Sequence, residues 1–175
     1  MVHPFQHCSA CGHANLIQRG DREFVCAQCG FRHFITPIPA ACALILDAAG
    51  RLLVTRRAHE PGLGKLGLPG GVIEGGETVE EAAARETREE VGLDIPAESF
   101  RYFTSLPNLY LFQGFEWPTI DLFYMAEVES FESVLPDGAE VSDWYALPLA
   151  EVPLDQFAFT SNAEAVRLLK ALKAA

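Results

Sequence analysis

Basic residues are scarce in this chain of 175 residues: 13 Lys and Arg stand against 24 Asp and Glu, a formal net charge of −11. Binding along a nucleic-acid backbone needs clustered Lys and Arg, so nucleic acid is disfavoured as the main partner. A phosphate-bearing ligand would then need metal ions to bridge it to the acids. Long apolar runs are missing too. No stretch approaches the ~20 residues of a membrane-spanning helix. Met1-Val2-His3-Pro4-Phe5 has neither the charged nor the apolar region of a secretion signal, so a cytoplasmic protein without membrane contact is expected. Apolar mass is not lacking. With 49% hydrophobic and 10% aromatic residues, the chain is too apolar for a disordered acidic segment and long enough for one core with a small appendage.

The acidity is unevenly placed. Residues 1–35 carry Arg19, Arg22 and Arg32 against Asp21 and Glu23, and this net +1 leaves −12 on residues 36–175. Four of the five cysteines precede the same boundary. Thr36-Pro37-Ile38-Pro39 follows it as an extended connector, because proline disfavours helix at itself and at its predecessor. A small module at 1–35 and a main domain at 36–175 are expected.

Cys8-Ser9-Ala10-Cys11-Gly12 and Cys26-Ala27-Gln28-Cys29-Gly30 are two knuckles separated by 14 residues. Two such pairs complete a tetrahedral, closed Zn²⁺ site, with Cys8, Cys11, Cys26 and Cys29 as ligands. The alternative, two disulfides, suits a secreted chain. Short strands at 15–19 and 23–25, turning at Gly20-Asp21, give the layout of a zinc ribbon. A closed site leaves no position for substrate, so the expected role is structural, with the metal supplying much of the folding free energy. His7, His13 and His33 are read as bystanders and Cys42, inside the apolar run 40–46, as a core residue.

The main domain opens with strands at 40–46 and 52–55 around the hairpin signal Asp47-Ala48-Ala49-Gly50. A glycine-rich loop then leads to a helix. Thr78 with Glu81 forms a capping box, Val79, Ala83, Thr87 and Val91 form a buried stripe, and Gly92 ends the helix. Thr87 is expected to bond back to the Ala83 carbonyl. Glu86, Glu89 and Glu90 share one helix face, and neither Glu89 nor Glu90 has a cation four residues later. On these residues alone, a solvated charged face and a site for hard divalent cations such as Mg²⁺ both remain open.

The full arrangement is more specific. Gly71, Glu77 after five residues, Arg85-Glu86 after seven more, and then Thr87-Arg88-Glu89-Glu90-Val91-Gly92-Leu93 resemble the signature box of the Nudix hydrolases. The resemblance implies an α/β fold, an α/β/α sandwich around a mixed sheet, and Mg²⁺- or Mn²⁺-dependent hydrolysis of a diphosphate by water attack on phosphorus. It implies Glu86 and Glu90 as metal ligands, Glu89 as a further ligand or base, the Gly71 carbonyl as another ligand, and Arg85 paired with Glu77 as support. A ribbon before such a domain resembles NADH, FAD and ADP-ribose pyrophosphatases.

Glu140, in Glu140-Val141-Ser142-Asp143, resembles the late acidic residue that reaches the metal, and a solvated loop acid remains the alternative reading. The stretch Ser-Gln-Pro-Trp-Pro-Phe-Pro of NADH pyrophosphatases is absent, and Ser105-Leu106-Pro107-Asn108-Leu109-Tyr110 stands nearest to it. Tyr110 and Trp117 are candidates to stack on a base, and Arg56 and Arg57 to contact phosphate. A final helix is expected at 161–172, with Ala165, Leu168, Leu169 and Leu172 on its packed face. The leading expectation is a pyrophosphatase for a small nucleotide substrate, and a homodimer is compatible with it. The competing readings are a nucleoside triphosphate sanitiser and a nucleotide sensor whose ribbon binds nucleic acid or protein.

Overall fold

The computed structural model describes residues 5–174. Residues 1–4, on which the reading of the leader partly rests, and residue 175 lie outside them. By compactness the chain divides into two units: residues up to Ile38 with Leu109–Pro118, and Pro39–Asn108 with Thr119 onward.

The first unit is built on three short antiparallel strands, β1 (Leu16–Arg19), β2 (Glu23–Cys26) and β3 (Arg32–Phe34). Leu16 pairs with Cys26 and Glu23 with Phe34. The third strand is additional to the two expected. Gly20, at φ 64°, takes the left-handed conformation the β1–β2 turn needs. The core is small: Phe24 is fully enclosed, and Phe5 packs edge-on against it and against Trp117 and sits 4.0 Å from the His33 ring.

The main sheet contains β4 (Ile38–Asp47), β5 (Arg51–Arg57), β6 (Leu66–Gly67), β7 (Gly70–Val72), β8 (Arg101–Phe112), β9 (Phe115–Val128) and β10 (Val141–Pro148). Two helices, α1 (Val79–Val91) and α2 (Thr160–Ala174), complete it. The order is β10-β5-β4-β9-β8, with β6 on β5 and β7 on β4. β5 pairs antiparallel with β10, whereas Leu66 bridges Phe157 in parallel. The 40–46 run is apolar throughout because β4 is covered on both faces. Ala41, Ala43 and Ile45 pack with Ala82, Ala83 and Val91 of α1. Cys42, Leu44 and Leu46 pack with Ala165, Val166 and Leu169 of α2. Alternate residues of one strand therefore feed the two cores of an α/β/α sandwich.

Local chemistry sets the element ends. Asp47 Oδ1 accepts from the N–H of Ala49 (3.0 Å) and of Arg51 (2.9 Å), closing the β4–β5 turn. The capping box is present in both directions, and Gly92 ends α1 at φ 69° with its N–H on the Arg88 carbonyl. Ala83, Thr87 and Val91 of the expected stripe are fully buried, and Val79 is partly buried.

Two expectations are corrected. Among the described residues the Thr87 hydroxyl has no hydrogen-bond partner. In α2 the buried residues are Ser161, Asn162, Ala165, Val166 and Leu169, whereas Leu172 is 57% exposed. The packed face is rotated toward the polar first turn because a buried carboxylate in β9 waits for Ser161. Among the described residues no helix is long and apolar enough to cross a membrane.

Candidate active site

The thiol cluster comes from two tight knuckles. Gly12 and Gly30, both at φ 73°, let the N–H of each return to the carbonyl of the first cysteine of its pair. The four Sγ atoms lie within 4.8 Å of one another, and the Cys8–Cys29 and Cys11–Cys26 separations are 3.7 Å. Zn–S bonds of about 2.3 Å in a tetrahedron place sulfurs about 3.8 Å apart, so the cage fits Zn²⁺. The four sulfurs cluster together rather than bonding in pairs, as a metal cage requires, and Cys42 is a buried core residue as expected. Among the described residues no histidine joins the cluster.

The second site is assembled on α1 and β7. Glu90 is nine-tenths enclosed, and its Oε2 accepts from the Gly70 N–H at 3.2 Å. Gly71 lies so close to Glu86 that a β-carbon there would collide with the carboxylate. Gly70, at φ 151°, is pressed against the Ala41 carbonyl and Cys42. Two glycines in β7 thus bring bare backbone to two carboxylates.

Glu140 comes from the segment that leads into β10. Its carbonyl accepts from the Ala58 N–H at 2.9 Å, and its own N–H is held by the Asp137 carboxylate. Burial pushes the Glu90 carboxyl up to about 8, and the Glu86 and Glu140 charges add to it, against the Gly70 N–H and Arg57. Glu86 is raised by burial first, against Arg85, and then by Glu140 and Glu89. Glu86 therefore feels the charges of Glu140 and Glu89, and Glu90 those of Glu86 and Glu140. Their all-oxygen donor set suits Mg²⁺ or Mn²⁺, and a cation among them would relieve the repulsion.

Arg85 does more than pair with Glu77. Its guanidinium reaches Glu77 (2.7 Å), Glu86 (2.7 Å) and Glu89 (3.2 Å), and donates to the Val72 carbonyl at 3.3 Å. No cation stands four residues after Glu89, as read from the sequence, and its partner is Arg85, four residues earlier.

The two strand-end arginines differ. Arg56 donates to Tyr145 Oη (2.8 Å) and the Gly64 carbonyl (2.6 Å) and lies over the Tyr145 ring. Arg57 uses only Nε, donating to the Pro61 carbonyl at 2.7 Å, and its guanidinium lies 5.0 Å from the Phe159 ring centroid. Among the described residues its terminal nitrogens have no acceptor, while its charge reaches Glu90. Tyr110 and Trp117 belong to the ribbon-containing unit, Tyr110 beside Phe112 and Trp117 against Phe5.

A glycine-backed set of carboxylates on the first helix of an α/β/α sandwich defines a recognisable class. Residues 36–169 match the family model described as NUDIX domain, and the chain belongs to that family. Among its relatives, the NAD-capped RNA hydrolase NudC of Photobacterium profundum is 30% identical over 154 residues, covering 87% of this chain and 53% of that protein. Its counterpart in Stutzerimonas stutzeri is 30% identical over 147 residues, covering 82% and 49%. The chain spans about half the length of the curated relatives it matches. A NUDIX hydrolase structure from Nitrosomonas europaea superposes with a TM-score of 0.67 at 24% identity, covering 93% of this chain and 88% of that one. The NUDIX domain of Shewanella oneidensis NrtR, complexed with ADP ribose, gives 0.63 at 23% identity, covering 79% and 90%. At these identities the likeness concerns the fold.

Proposed function

We propose that the protein is a cytoplasmic, Mg²⁺- or Mn²⁺-dependent pyrophosphatase that hydrolyses the diphosphate of a nucleoside diphosphate derivative of the ADP-ribose, FAD or NAD(H) type. The observation that carries the reading is the approach of Glu86 and Glu90 to the bare backbone of Gly71 and Gly70, with Glu140 and Arg57 near enough for their charges to act on Glu90. The family membership and the printed names of the relatives support it.

In this reading Glu86, Glu90 and the Gly71 carbonyl hold the divalent ion, with Glu89 at the outer edge. The ion, when bound, polarises the phosphoryl oxygens and lowers the pKa of the attacking water. Arg85 holds Glu86 and Glu89 in place through a guanidinium already engaged with Glu77. Arg57, rather than Arg56, donates its terminal nitrogens to the diphosphate, since Arg56 is engaged by Tyr145 and Gly64. Glu140 is exposed and forms no ion pair among the described residues, so it is free to take the proton of the attacking water. The four thiols hold a structural zinc.

A side-by-side assay of NADH, NAD, FAD, ADP-ribose, NAD-capped RNA and the deoxynucleoside triphosphates, with product identification, tests the substrate class. Release of a nucleoside monophosphate from one of the dinucleotides or ADP-ribose is expected. Turnover confined to triphosphates, with pyrophosphate released, would replace this reading with the sanitising one.

A further inference from the structure

Asp121, on β9, is a buried carboxylate for which the site described above has no use; it is 5% exposed. Its Oδ1 accepts from the Thr119 hydroxyl at 2.8 Å and its Oδ2 from the Ser161 hydroxyl at 2.6 Å. Among the described residues no Lys, Arg or His pairs with it. A buried carboxylate held by two neutral hydroxyls is costly unless another positive field reaches it. Ser161 is the second residue of the 15-residue α2, whose first turn carries about half a positive charge in its unsatisfied N–H groups. The carboxylate and the helix start therefore hold each other in place, across 40 residues of sequence.

That helix start also carries a contact to Arg57. The Phe159 carbonyl accepts from the Ala163 N–H at 3.3 Å, which ties Phe159 to the first turn. Its ring lies under the Arg57 guanidinium, whose Nε is fixed by the Pro61 carbonyl. The loop that supplies Pro61 is itself wedged against the same segment: a β-carbon at Gly62 would come within 2.5 Å of the Ala158 β-carbon. The Ala158 N–H in turn bonds to the Leu66 carbonyl at 2.9 Å.

We propose that Asp121 is a positioning residue for the substrate-binding arginine. Acting through Ser161, it fixes the first turn of α2 and with it the Phe159 ring, which orients the Arg57 guanidinium. The inference rests on the pyrophosphatase reading, in which Arg57 binds the diphosphate. It adds that the binding strength of that arginine is set by a hydroxyl–carboxylate pair on the opposite side of the sheet from α1.

The test uses Ser161→Ala, Ser161→Thr, Asp121→Asn and Arg57→Ala in the full chain. KM for the diphosphate substrate and the Kd of α,β-methylene-ADP, a non-hydrolysed analogue, are measured in Mg²⁺. Losing one oriented charged contact to phosphate raises both by about tenfold. Ser161→Ala is expected to do this with kcat changed by less than about twofold, because the contact is equally present in ground and transition states. Ser161→Thr, which keeps the hydroxyl, restores the wild-type values. Adding Ser161→Ala to Arg57→Ala produces no further rise, since both remove the same contact. Ser161→Ala carries the test if Asp121→Asn fails to fold. An unchanged KM and Kd in Ser161→Ala, or effects that add to Arg57→Ala, overturn the positioning role while wild-type turnover leaves the pyrophosphatase reading intact. A wild-type chain that neither turns over nor binds the analogue overturns both.

Discussion

Gly71 and Glu86 are in contact so close that a β-carbon on Gly71 would overlap the Glu86 carboxylate. The strand backbone and the helix carboxylate act as one surface, and the only way to widen it is to displace Glu86. Gly71→Ala is therefore expected to leave the fold in place, since the obstructing atoms are the far end of a flexible side chain. The cost falls on chemistry. A displacement of about 1 Å in a positioned group costs on the order of 100-fold in rate, measurable as kcat in saturating Mg²⁺ beside an unchanged circular dichroism spectrum.

The zinc cage makes a separate prediction. The purified chain should carry one Zn²⁺, and Cys26→Ser should lose it. Metal binding supplies on the order of 10 kcal/mol in small zinc modules, and the first unit has few buried apolar residues beyond Phe24. Loss of zinc should therefore release strands β1–β3 while the α1 and α2 amides stay protected from hydrogen exchange. Elemental analysis and exchange mass spectrometry together check this.

Thr87 is fully buried in α1, and among the described residues its hydroxyl has no partner. An unmade hydrogen bond of a buried group costs about 1–3 kcal/mol. Replacing Thr87 by Val, which removes the polar atom at nearly the same volume, should stabilise the fold by about 1 kcal/mol. A higher urea midpoint with unchanged slope is the expected readout.

Asp47 supplies the pH dependence. Burial alone would raise its carboxyl, but the Arg51 side chain and the N–H groups of Arg51 and Ala49 outweigh that and hold it below the usual aspartate value of 3.8. A native pKa depressed below the unfolded one gives stability that is present above the unfolded value and lost as pH falls through the native one. Asp47→Ala should therefore be less stable than wild type by about 1–3 kcal/mol at pH 7. The gap should shrink in denaturant titrations carried below pH 4.

Much of this architecture was legible in the amino-acid pattern because it depends on near neighbours. The capping box of Thr78 and Glu81, the stop at Gly92 and the Asp47 turn all act within four residues. The thiol knuckles and the Glu face of α1 follow from short fixed spacings. Contacts between distant residues were not readable. Nothing near Ser161 announces that Asp121 awaits it, so apolar periodicity overvalued Leu172 and missed the buried polar turn of α2. Likewise Arg56 and Arg57 are adjacent and alike in sequence, and the contacts that separate them include Tyr145 and Phe159, each about a hundred residues away. The grouping of Leu109–Pro118 with the ribbon is of the same kind, arising from packing rather than from pattern.

The central claim is that the carboxylates of α1 hold the ion that drives diphosphate hydrolysis, and Glu90 is the most enclosed of them. The most direct measurement is Mg²⁺-dependent release of a nucleoside monophosphate by the wild type and by Glu90→Gln, which is nearly the same in shape and cannot carry the charge. Turnover is expected to disappear in the variant while the folded structure persists. Unchanged turnover in Glu90→Gln would contradict it.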